Sequence, residues 1–341
     1  MKAVYVIDKE KTEVREIERP TIKPDEVLIK ARTVGVCGSD LHLFKGTHPF
    51  RHAPAILGHE IAGDIVEVGS AVTKFKVGDR VTVEPQVGCH SCEMCDKGYV
   101  SLCKGKAVPG TPKWIGTFAE YFNAKEEIVY KLNDNISYQV GSLTEPLAVA
   151  VHVVNHAQTK KGSLVILGGG TIGQLVLAVA KQKGFEKIIL TDIAPFNREF
   201  ALKHGADIAL DPLTQDVPAE VKAATNGKGA DLAIVAAGAP NILDQACECL
   251  HKCGELGLVA MITKKFPFYS YAIVFNELKI YGAMCYEPKD FKEAMDMINN
   301  GLDLKDYITH QMHGLEETQK GLDILNQKKE NVVKVVVNLE A

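Results

Sequence analysis

Residues 164–173 read Leu164-Val165-Ile166-Leu167-Gly168-Gly169-Gly170-Thr171-Ile172-Gly173, an apolar run followed by the pattern Gly-x-Gly-x-x-Gly. The first glycine of such a pattern permits a tight turn, the second lets backbone approach a pyrophosphate, and the third lets a helix pack close to the strand. Because an apolar strand precedes the glycines and a helix over 171–183 follows them, the stretch predicts a dinucleotide site at the helix N-terminus. The alternative is a tight strand–helix turn without a ligand. The candidate cofactor contacts are Gly168, Gly170, Thr171, Ile172 and Gly173.

An acidic residue follows the next apolar run at the spacing that the dinucleotide pattern requires. Asp192 lies about 20 residues beyond the last glycine. A carboxylate there accepts hydrogen bonds from the adenosine ribose hydroxyls and repels a 2′-phosphate, which favours NAD over NADP. Arg198, six residues further on, is the alternative cofactor contact, since it could meet a phosphate.

Predicted strands and helices alternate along the chain on either side of this glycine pattern. Apolar runs at 164–167, 187–191, 231–236 and 256–260 are separated by helical stretches that include 171–183 and 197–204. Alternation of this kind predicts βαβ units and a parallel sheet with helices on both faces.

Residues 1 to about 145 have a different sequence pattern, in which short strand-like runs at 27–31, 61–69 and 81–83 lie between Gly- and Asp-containing turns. They predict a small, irregular β-rich domain. A helical stretch at 289–299 and a strand-like run at 331–337 follow the βαβ region. Composition does not decide which of the two domains they join.

Composition and charge exclude several classes of protein. The 341 residues suggest about two domains. Lys and Arg number 39 against 43 Asp and Glu, a net charge of −4, which disfavours a nucleic-acid binder. No apolar run reaches the roughly 18 residues of a membrane span, and the N-terminus lacks a signal-peptide core. We therefore expect a cytoplasmic protein without membrane or nucleic-acid partners.

The nine cysteines are an odd number, which makes a poor disulfide framework. Four of them crowd into fifteen residues: Cys89, Cys92, Cys95 and Cys103. Four thiolates can surround one Zn²⁺ with no position left for water, so the cluster predicts a structural zinc in a lobe over about 86–105. An iron–sulfur cluster and unliganded thiols are the alternatives. We expect Cys247, Cys249 and Cys253 to be packing residues, because residues two apart on a helix point to different sides.

Further candidate ligands are spread through the N-terminal half. They lie in Cys37-Gly38-Ser39-Asp40-Leu41-His42, in Gly58-His59-Glu60 and in Glu145-Pro146. Alone, each residue has an ordinary interpretation: a buried thiol, a hydrogen-bonded histidine, a surface acid.

Taken in order with the cysteine cluster, the glycine pattern and Asp192, these motifs resemble the zinc-dependent alcohol and polyol dehydrogenases of the medium-chain dehydrogenase/reductase superfamily. The resemblance spans essentially the whole chain. It implies an α/β protein with a GroES-like β-rich catalytic domain over 1–147 and a Rossmann domain with a doubly wound parallel sheet over 148–285. Its C-terminal segment, 286–341, would return to the catalytic domain.

The resemblance also implies roles for individual residues. Cys37 and His59 match the two firm ligands of a catalytic zinc, and Glu60 matches a carboxylate that ligates zinc in some members only. Glu145 stands where polyol-type members carry an acid that binds zinc or its water. Ser39 and His42 match a proton relay from the substrate to solvent. Two zinc ions and one NAD per chain are expected.

The expected reaction is reversible oxidation of a secondary alcohol to a ketone, with a polyol, sugar alcohol or cyclitol as substrate. Thr117, Phe118 and Tyr286 are the candidate pocket residues. Cys285 stands where sorbitol dehydrogenases carry an arginine that contacts substrate, and a cysteine cannot supply that fork of donors. The alternatives are a butanediol- or threonine-type dehydrogenase and, from another class, an inactive NADH-binding protein. The family commonly forms homodimers or homotetramers.

Overall fold

The computed structural model describes residues 1–48, 51–111, 114–262, 264–327 and 330–339. Within these ranges the strands are β1 (Lys2–Asp8), β2 (Lys11–Glu16), β3 (Glu26–Val36), β4 (Ala55–Ile56), β5 (Glu60–Val68), β6 (Arg80–Val83), β7 (Tyr121–Lys125), β8 (Val129–Lys131), β9 (Ser163–Leu167), β10 (Lys187–Thr191), β11 (Ile208–Leu210), β12 (Ala230–Val235), β13 (Leu250–Leu258), β14 (Lys279–Gly282), β15 (Ile308–His313) and β16 (Lys334–Asn338).

The α-helices lie mostly in the second half of the chain. They are α1 (Gly38–Phe44), α2 (Glu93–Asp96), α3 (Tyr138–Ser142), α4 (Thr144–His156), α5 (Thr171–Lys183), α6 (Pro195–Lys203), α7 (Val217–Ala224), α8 (Ile242–Cys249), α9 (Tyr271–Asn276), α10 (Pro288–Asn299) and α11 (Thr318–Gln327).

Two compact units divide the chain: 1–145 together with 287–341, and 146–286. The boundaries expected from the sequence, 147/148 and 285/286, differ from these by one or two residues.

The unit over 146–286 is built on a parallel sheet of six strands in the order β11-β10-β9-β12-β13-β14. Its central strand, β9, is buried along its whole length, as expected where helices cover both faces of a sheet. The predicted Rossmann-type α/β architecture is confirmed.

The other unit is built on a larger sheet in the order β15-β16-β3-β5-β6-β8, with β7 also paired to β3. Strand β16 runs antiparallel to β3, and Val335 lies opposite Val36. The last strand of the chain therefore completes the N-terminal sheet, which decides the placement that composition left open. A three-stranded sheet, β2-β1-β4, lies in the same unit.

The three cysteines expected to be packing residues do not behave alike. Cys247 and Cys249 lie on α8 and are buried. Cys253 is exposed, on β13, with a φ of 63°. The prediction was wrong for Cys253, because the helix ends at Cys249 and the chain turns sharply within the following strand.

Candidate active site

Sheet register brings three of the candidate ligands together. The end of β3 lies beside the start of β5, with Gly35 opposite Glu60. Cys37 follows β3 and caps α1, while His59 directly precedes β5. Cys37 Sγ, a ring nitrogen of His59 and a carboxylate oxygen of Glu60 lie within 4.8 Å of one another. A thiolate, an imidazole and a carboxylate are donors that Zn²⁺ accepts in catalytic sites, so this set fits that ion.

The Glu60 side chain lies directly over the backbone of Gly35. A Cβ atom placed on Gly35 would be 1.7 Å from Glu60 Oε2. Only a glycine leaves room for the carboxylate here, so the glycine two residues before Cys37 is part of the site.

A buried lysine that the sequence analysis did not single out holds the same carboxylate. Lys334 Nζ lies 2.6 Å from Glu60 Oε1 and 2.5 Å from Oε2. Burial lowers the pKa of Lys334, but the charges of Glu60 and Cys37 more than offset this and the net shift is upward. Lys334 is therefore a cation at neutral pH. Its signal in the sequence is a single lysine inside the apolar run Val332-Val333-Lys334-Val335-Val336-Val337.

A second buried carboxylate, Asp40, orients His59. Asp40 Oδ1 lies 3.6 Å from His59 Nδ1, and its two oxygens accept the N–H groups of Gly58 and Cys37 at 3.3 and 3.1 Å. Burial alone would raise the pKa of Asp40. His59 and these N–H groups lower it by more than burial raises it, so the net shift is downward and Asp40 stays ionised. Burial alone would lower the pKa of His59. Asp40 and Cys37 raise it by more, so the net pKa of His59 is well above 6.5. A carboxylate against one ring nitrogen of a ligating histidine is the usual support of a metal site.

The remaining predicted catalytic residues lie close to this cluster in the chain. Ser39 and His42 are three residues apart on α1 and share one face, and the Thr47 hydroxyl lies 3.4 Å from His42 Nδ1. Glu145 is buried in the first turn of α4. It is outside the described group of ligand atoms within 4.8 Å, but its charge reaches Lys334.

The four clustered cysteines converge on one point. Their sulfur atoms lie within 4.8 Å of one another, with 4.0 Å from Cys89 to Cys95 and 3.7 Å from Cys92 to Cys103. Four thiolates on one tetrahedral zinc, with Zn–S bonds of about 2.3 Å, have sulfurs about 3.8 Å apart. These separations fit a single zinc ion and favour it over an iron–sulfur cluster.

The glycine turn has the geometry that its sequence pattern predicts. Gly168 has a φ of 108°, and a Cβ on Gly173 would lie 1.8 Å from the Gly168 carbonyl oxygen, so the strand and α5 meet as closely as two backbones can. Gly170 caps α5, and a Cβ there would meet no atom within 4 Å. Thr171 and Ile172 open the helix beside it. This open helix N-terminus fits a pyrophosphate.

Asp192 is held beside the glycine turn by backbone donors. Its Oδ2 and Oδ1 accept the N–H groups of Gly169 and Ala194 at 2.7 and 2.8 Å. Arg198 donates to the carbonyls of Asp192 and Ile193 and lies 3.4 Å from Asp211, so its charge already has a carboxylate partner. Gln174, which the sequence analysis missed, ties the turn to α6 by donating to the carbonyls of Gly169 and Asn197.

The three candidate pocket residues are all buried. Phe118 packs in the core of the N-terminal unit, and Tyr286 is 2% exposed. Thr117 lies against the turn before His59: its N–H donates to the Gly58 carbonyl at 3.0 Å. Among the described residues its hydroxyl has no hydrogen-bond partner.

In the part of the chain that the structure describes, no helix combines the length and the apolarity of a membrane span.

Known proteins resemble this chain over almost its full length. A family model for the alcohol dehydrogenase GroES-like domain matches residues 23–134, and one for the zinc-binding dehydrogenases matches residues 171–300. Sorbitol dehydrogenase of Bacillus subtilis is 36% identical over 99% of this chain and 97% of its own. A probable D-xylulose reductase A of Aspergillus clavatus is 38% identical over 84% of this chain and 82% of its own. The crystal structure of 2R,3R-butanediol dehydrogenase from B. subtilis superimposes with a TM-score of 0.91 at 32% identity, covering 99% of each chain. The chain therefore belongs to the zinc-dependent alcohol dehydrogenases of the medium-chain dehydrogenase/reductase superfamily, on the branch with sorbitol dehydrogenase and D-xylulose reductase, and is an oxidoreductase that uses zinc and a nicotinamide cofactor.

Proposed function

We propose that this protein oxidises the secondary alcohol of a polyol or cyclitol to a ketone, reversibly, with NAD as hydride acceptor. The observation that carries the proposal is the cluster of Cys37, His59 and Glu60, supported by Asp40 and Lys334. A protein that only bound the dinucleotide would have no need of these buried charges. The relatives named for sorbitol and D-xylulose support a polyol as substrate.

Each residue of the cluster has a separate task in this proposal. When bound, zinc stabilises the substrate oxygen as an anion and the nicotinamide accepts the hydride. Cys37 and His59 hold the metal ion, and Asp40 fixes the orientation of the His59 ring. Glu60, already held by Lys334, and Glu145 are the candidates for a further carboxylate ligand. The Ser39 hydroxyl receives the alcohol proton, and the His42 imidazole passes it to solvent.

A second zinc belongs to the same proposal. Cys89, Cys92, Cys95 and Cys103 would hold it with no open position, so it stabilises the lobe without taking part in the reaction.

The preference for NAD over NADP depends on two charges near the glycine turn. Asp192 places a carboxylate where the ribose hydroxyls bind, and it would repel a 2′-phosphate. Arg198 supports the same preference, because its guanidinium is already engaged by two carbonyls and Asp211.

One buried hydroxyl is the candidate contact for the substrate. Thr117 Oγ1 is buried beside Gly58 without a partner among the described residues, and a buried hydroxyl gains from a hydrogen bond. We assign it to a substrate hydroxyl, with the adjacent Phe118 as an apolar neighbour. A vicinal diol is the second candidate substrate, supported by the similarity to butanediol dehydrogenase.

Association into a homodimer or homotetramer is also part of the proposal. The unit over 146–286 exposes a group of large apolar side chains on and around α9: Tyr269, Tyr271, Val274 and Phe275. Apolar groups of this size on one short segment are typical of contact surfaces between chains.

The test is a metal and activity measurement on the purified protein. We expect close to two zinc ions per chain and reduction of NAD with at least one member of a panel of sugar alcohols, cyclitols and short diols. Cys37→Ala should lose one zinc and all turnover, whereas the control Cys253→Ala, which removes an exposed thiol outside both clusters, should lose neither. Full activity in Cys37→Ala would disprove the mechanism. Tight NADH binding without turnover of any alcohol would instead identify an inactive binding protein.

A further inference from the structure

The chain that joins the two candidate ligands Cys37 and His59 is strongly biased toward positive charge. Residues 41–59 contain no Asp or Glu, although the protein has 43 of them, and they include Lys45, Arg51 and four of its eleven histidines. We call its residues 42–48 and 51–52 the basic segment. The segment lies on the chain between the two candidate ligands, since α1 begins directly after Cys37 and β5 begins directly after His59.

Local hydrogen bonds gather the side chains of the basic segment. Thr47 folds back onto α1, with its N–H 2.7 Å and its hydroxyl 3.1 Å from the His42 carbonyl. The N–H of Arg51 donates to His48 Nδ1 at 3.0 Å. Burial lowers the pKa of His48, and the charges of Arg51, His42 and His52 lower it further. These groups are therefore close enough to repel one another electrostatically.

Three basic residues of the segment have no carboxylate partner among the described residues. Among the described residues, no carboxylate oxygen lies within 4.0 Å of the charged groups of Lys45, Arg51 or His52. Two partly buried arginines elsewhere do have one: Arg32 is 2.7 Å from Asp64, and Arg198 is 3.4 Å from Asp211. A third, Arg80, donates to three backbone carbonyls instead. Arg51 differs from all three, because no hydrogen bond or ion pair of its guanidinium is found among the described residues.

Arg51 has a defined position within the segment. Its guanidinium lies over Gly110, where a Cβ would be 3.4 Å from Nη1, and the residue is half-buried. A planar guanidinium held in this way presents a fork of donors that matches a carboxylate or a phosphate.

The segment also lies within electrostatic reach of the metal-binding cluster. The Asp40 carboxylate, 3.6 Å from His59, is close enough to His48 to oppose the lowering of its pKa. His48 and the support of the candidate ligand His59 therefore lie in the same part of this unit.

We propose that the basic segment binds an anionic group of the substrate, so that the natural substrate is a polyol carrying a carboxylate or a phosphate. This inference rests on the proposed function and narrows its substrate class. It also gives the chain a positive group for an acidic substrate even though Cys285 replaces the arginine expected from the sorbitol dehydrogenases.

The experiment compares three substrates of equal carbon number: a neutral sugar alcohol, the corresponding aldonate and the sugar-alcohol phosphate. We expect kcat/KM to be at least about 10-fold higher for one of the two anions, the effect of one hydrogen bond to a charged group. Which anion is preferred distinguishes carboxylate from phosphate. Raising the ionic strength should lower kcat/KM for the anion and leave the neutral alcohol unaffected, because salt screens exposed charges.

Arg51→Gln should raise KM for the anionic substrate about 10-fold or more, with kcat and KM for NAD little changed, and Arg51→Lys should restore part of the loss. Lys292→Gln, which removes an exposed lysine on α10, is the matched charge control and should have no effect. Calorimetry with the aldonate and with inorganic phosphate provides a readout without turnover, and binding should disappear in Arg51→Gln.

Equal kcat/KM for neutral and anionic substrates would overturn the inference and leave the proposed function intact. A rise in KM for NAD alone in Arg51→Gln would also overturn it, because it would assign the charges to the cofactor. Absence of turnover with every alcohol would instead overturn the proposed function, and calorimetry would then decide the anion site independently.

Discussion

At the scale of single residues, the candidate metal centre depends on a buried ion pair. Glu60 and Lys334 have side chains that are 0% and 3% exposed. Removing one partner of such a pair is costly, since it leaves a charge in the protein interior without compensation. The pair has its present geometry only because Gly35 leaves space for the Glu60 carboxylate.

Gly35→Ala tests this dependence. The new Cβ would lie 1.7 Å from Glu60 Oε2 and must displace the carboxylate from Lys334, so we expect the free energy of unfolding to fall by about 1–3 kcal/mol or more, as for overpacked cores. The matched control is Gly38→Ala, where a Cβ would meet no atom within 4 Å. It should change stability by about 0.5 kcal/mol or less. Equal stability losses in both variants, measured by thermal or urea unfolding, would contradict the role given to Gly35.

The sequence signals for these residues differed in strength. Cys37, His59 and Glu60 were found because their motifs resemble a known family in order and spacing. Lys334 lies 274 residues from Glu60 along the chain. A single lysine in an apolar run indicates a buried charge. Which residue becomes its partner depends on the pairing of β16 with β3, and no local sequence pattern specifies that pairing.

At the scale of secondary-structure elements, the end of β6 carries a buried carboxylate outside both metal clusters. Glu84 follows β6 directly, and accepts hydrogen bonds from Tyr130, on β8, and from Gln86, each at 3.1 Å. The pKa of Glu84 is raised to about 7, chiefly because the side chain is buried. The charges of Glu287 and Glu127 add to the rise, and the hydrogen bonds from Gln86 and Tyr130 oppose it. The folded protein therefore binds a proton here more tightly than the unfolded chain does.

This predicts a stability that falls as the pH rises. Between the unfolded pKa of 4.5 and the folded pKa of about 7, the unfolded chain loses its proton first, so folding becomes less favourable by up to about 3 kcal/mol. Glu84→Gln should remove this penalty and raise the thermal midpoint at pH 8, with the difference vanishing near pH 4. Glu18→Gln, at an exposed position outside the groups that act on Glu84, is the control and should change neither. An unchanged midpoint for Glu84→Gln at pH 8 would refute the raised pKa.

At the scale of the whole molecule, distant parts of the chain meet at the cysteine lobe. Glu287, which caps α10, accepts hydrogen bonds from the hydroxyl of Ser101 at 2.5 Å and from its N–H at 3.3 Å. Ser101 lies two residues before Cys103 and is buried. The four cysteines therefore connect the parts of the lobe to one another, and Glu287 connects the lobe to the C-terminal part of the same unit.

Cys92→Ser separates the two candidate zinc sites. We expect loss of one zinc per chain and a fall in stability of about 2 kcal/mol, a drop of roughly 4–8 °C in Tm for a domain of this size, because the lobe loses its internal cross-link. The zinc held by Cys37 should remain, so any residual folded protein should still turn over substrate. Cys253→Ser, at an exposed thiol, should keep both ions and the parental Tm. Loss of both ions in Cys92→Ser would show that the two sites are not independent.

The amino-acid sequence by itself determined the βαβ unit around Gly168–Gly173, the dinucleotide turn and the grouping of four cysteines. In each of these, the residues that interact are close in the chain, so spacing and side-chain type define the geometry. Only the tertiary structure decided the register of β16 on β3, the ion pair of Lys334 with Glu60 and the lack of carboxylate partners among the described residues for Lys45 and Arg51. Such features depend on which strands are adjacent in the sheet and which charges lie within reach of one another. Those are long-range results of packing the whole core, which short stretches of sequence do not encode.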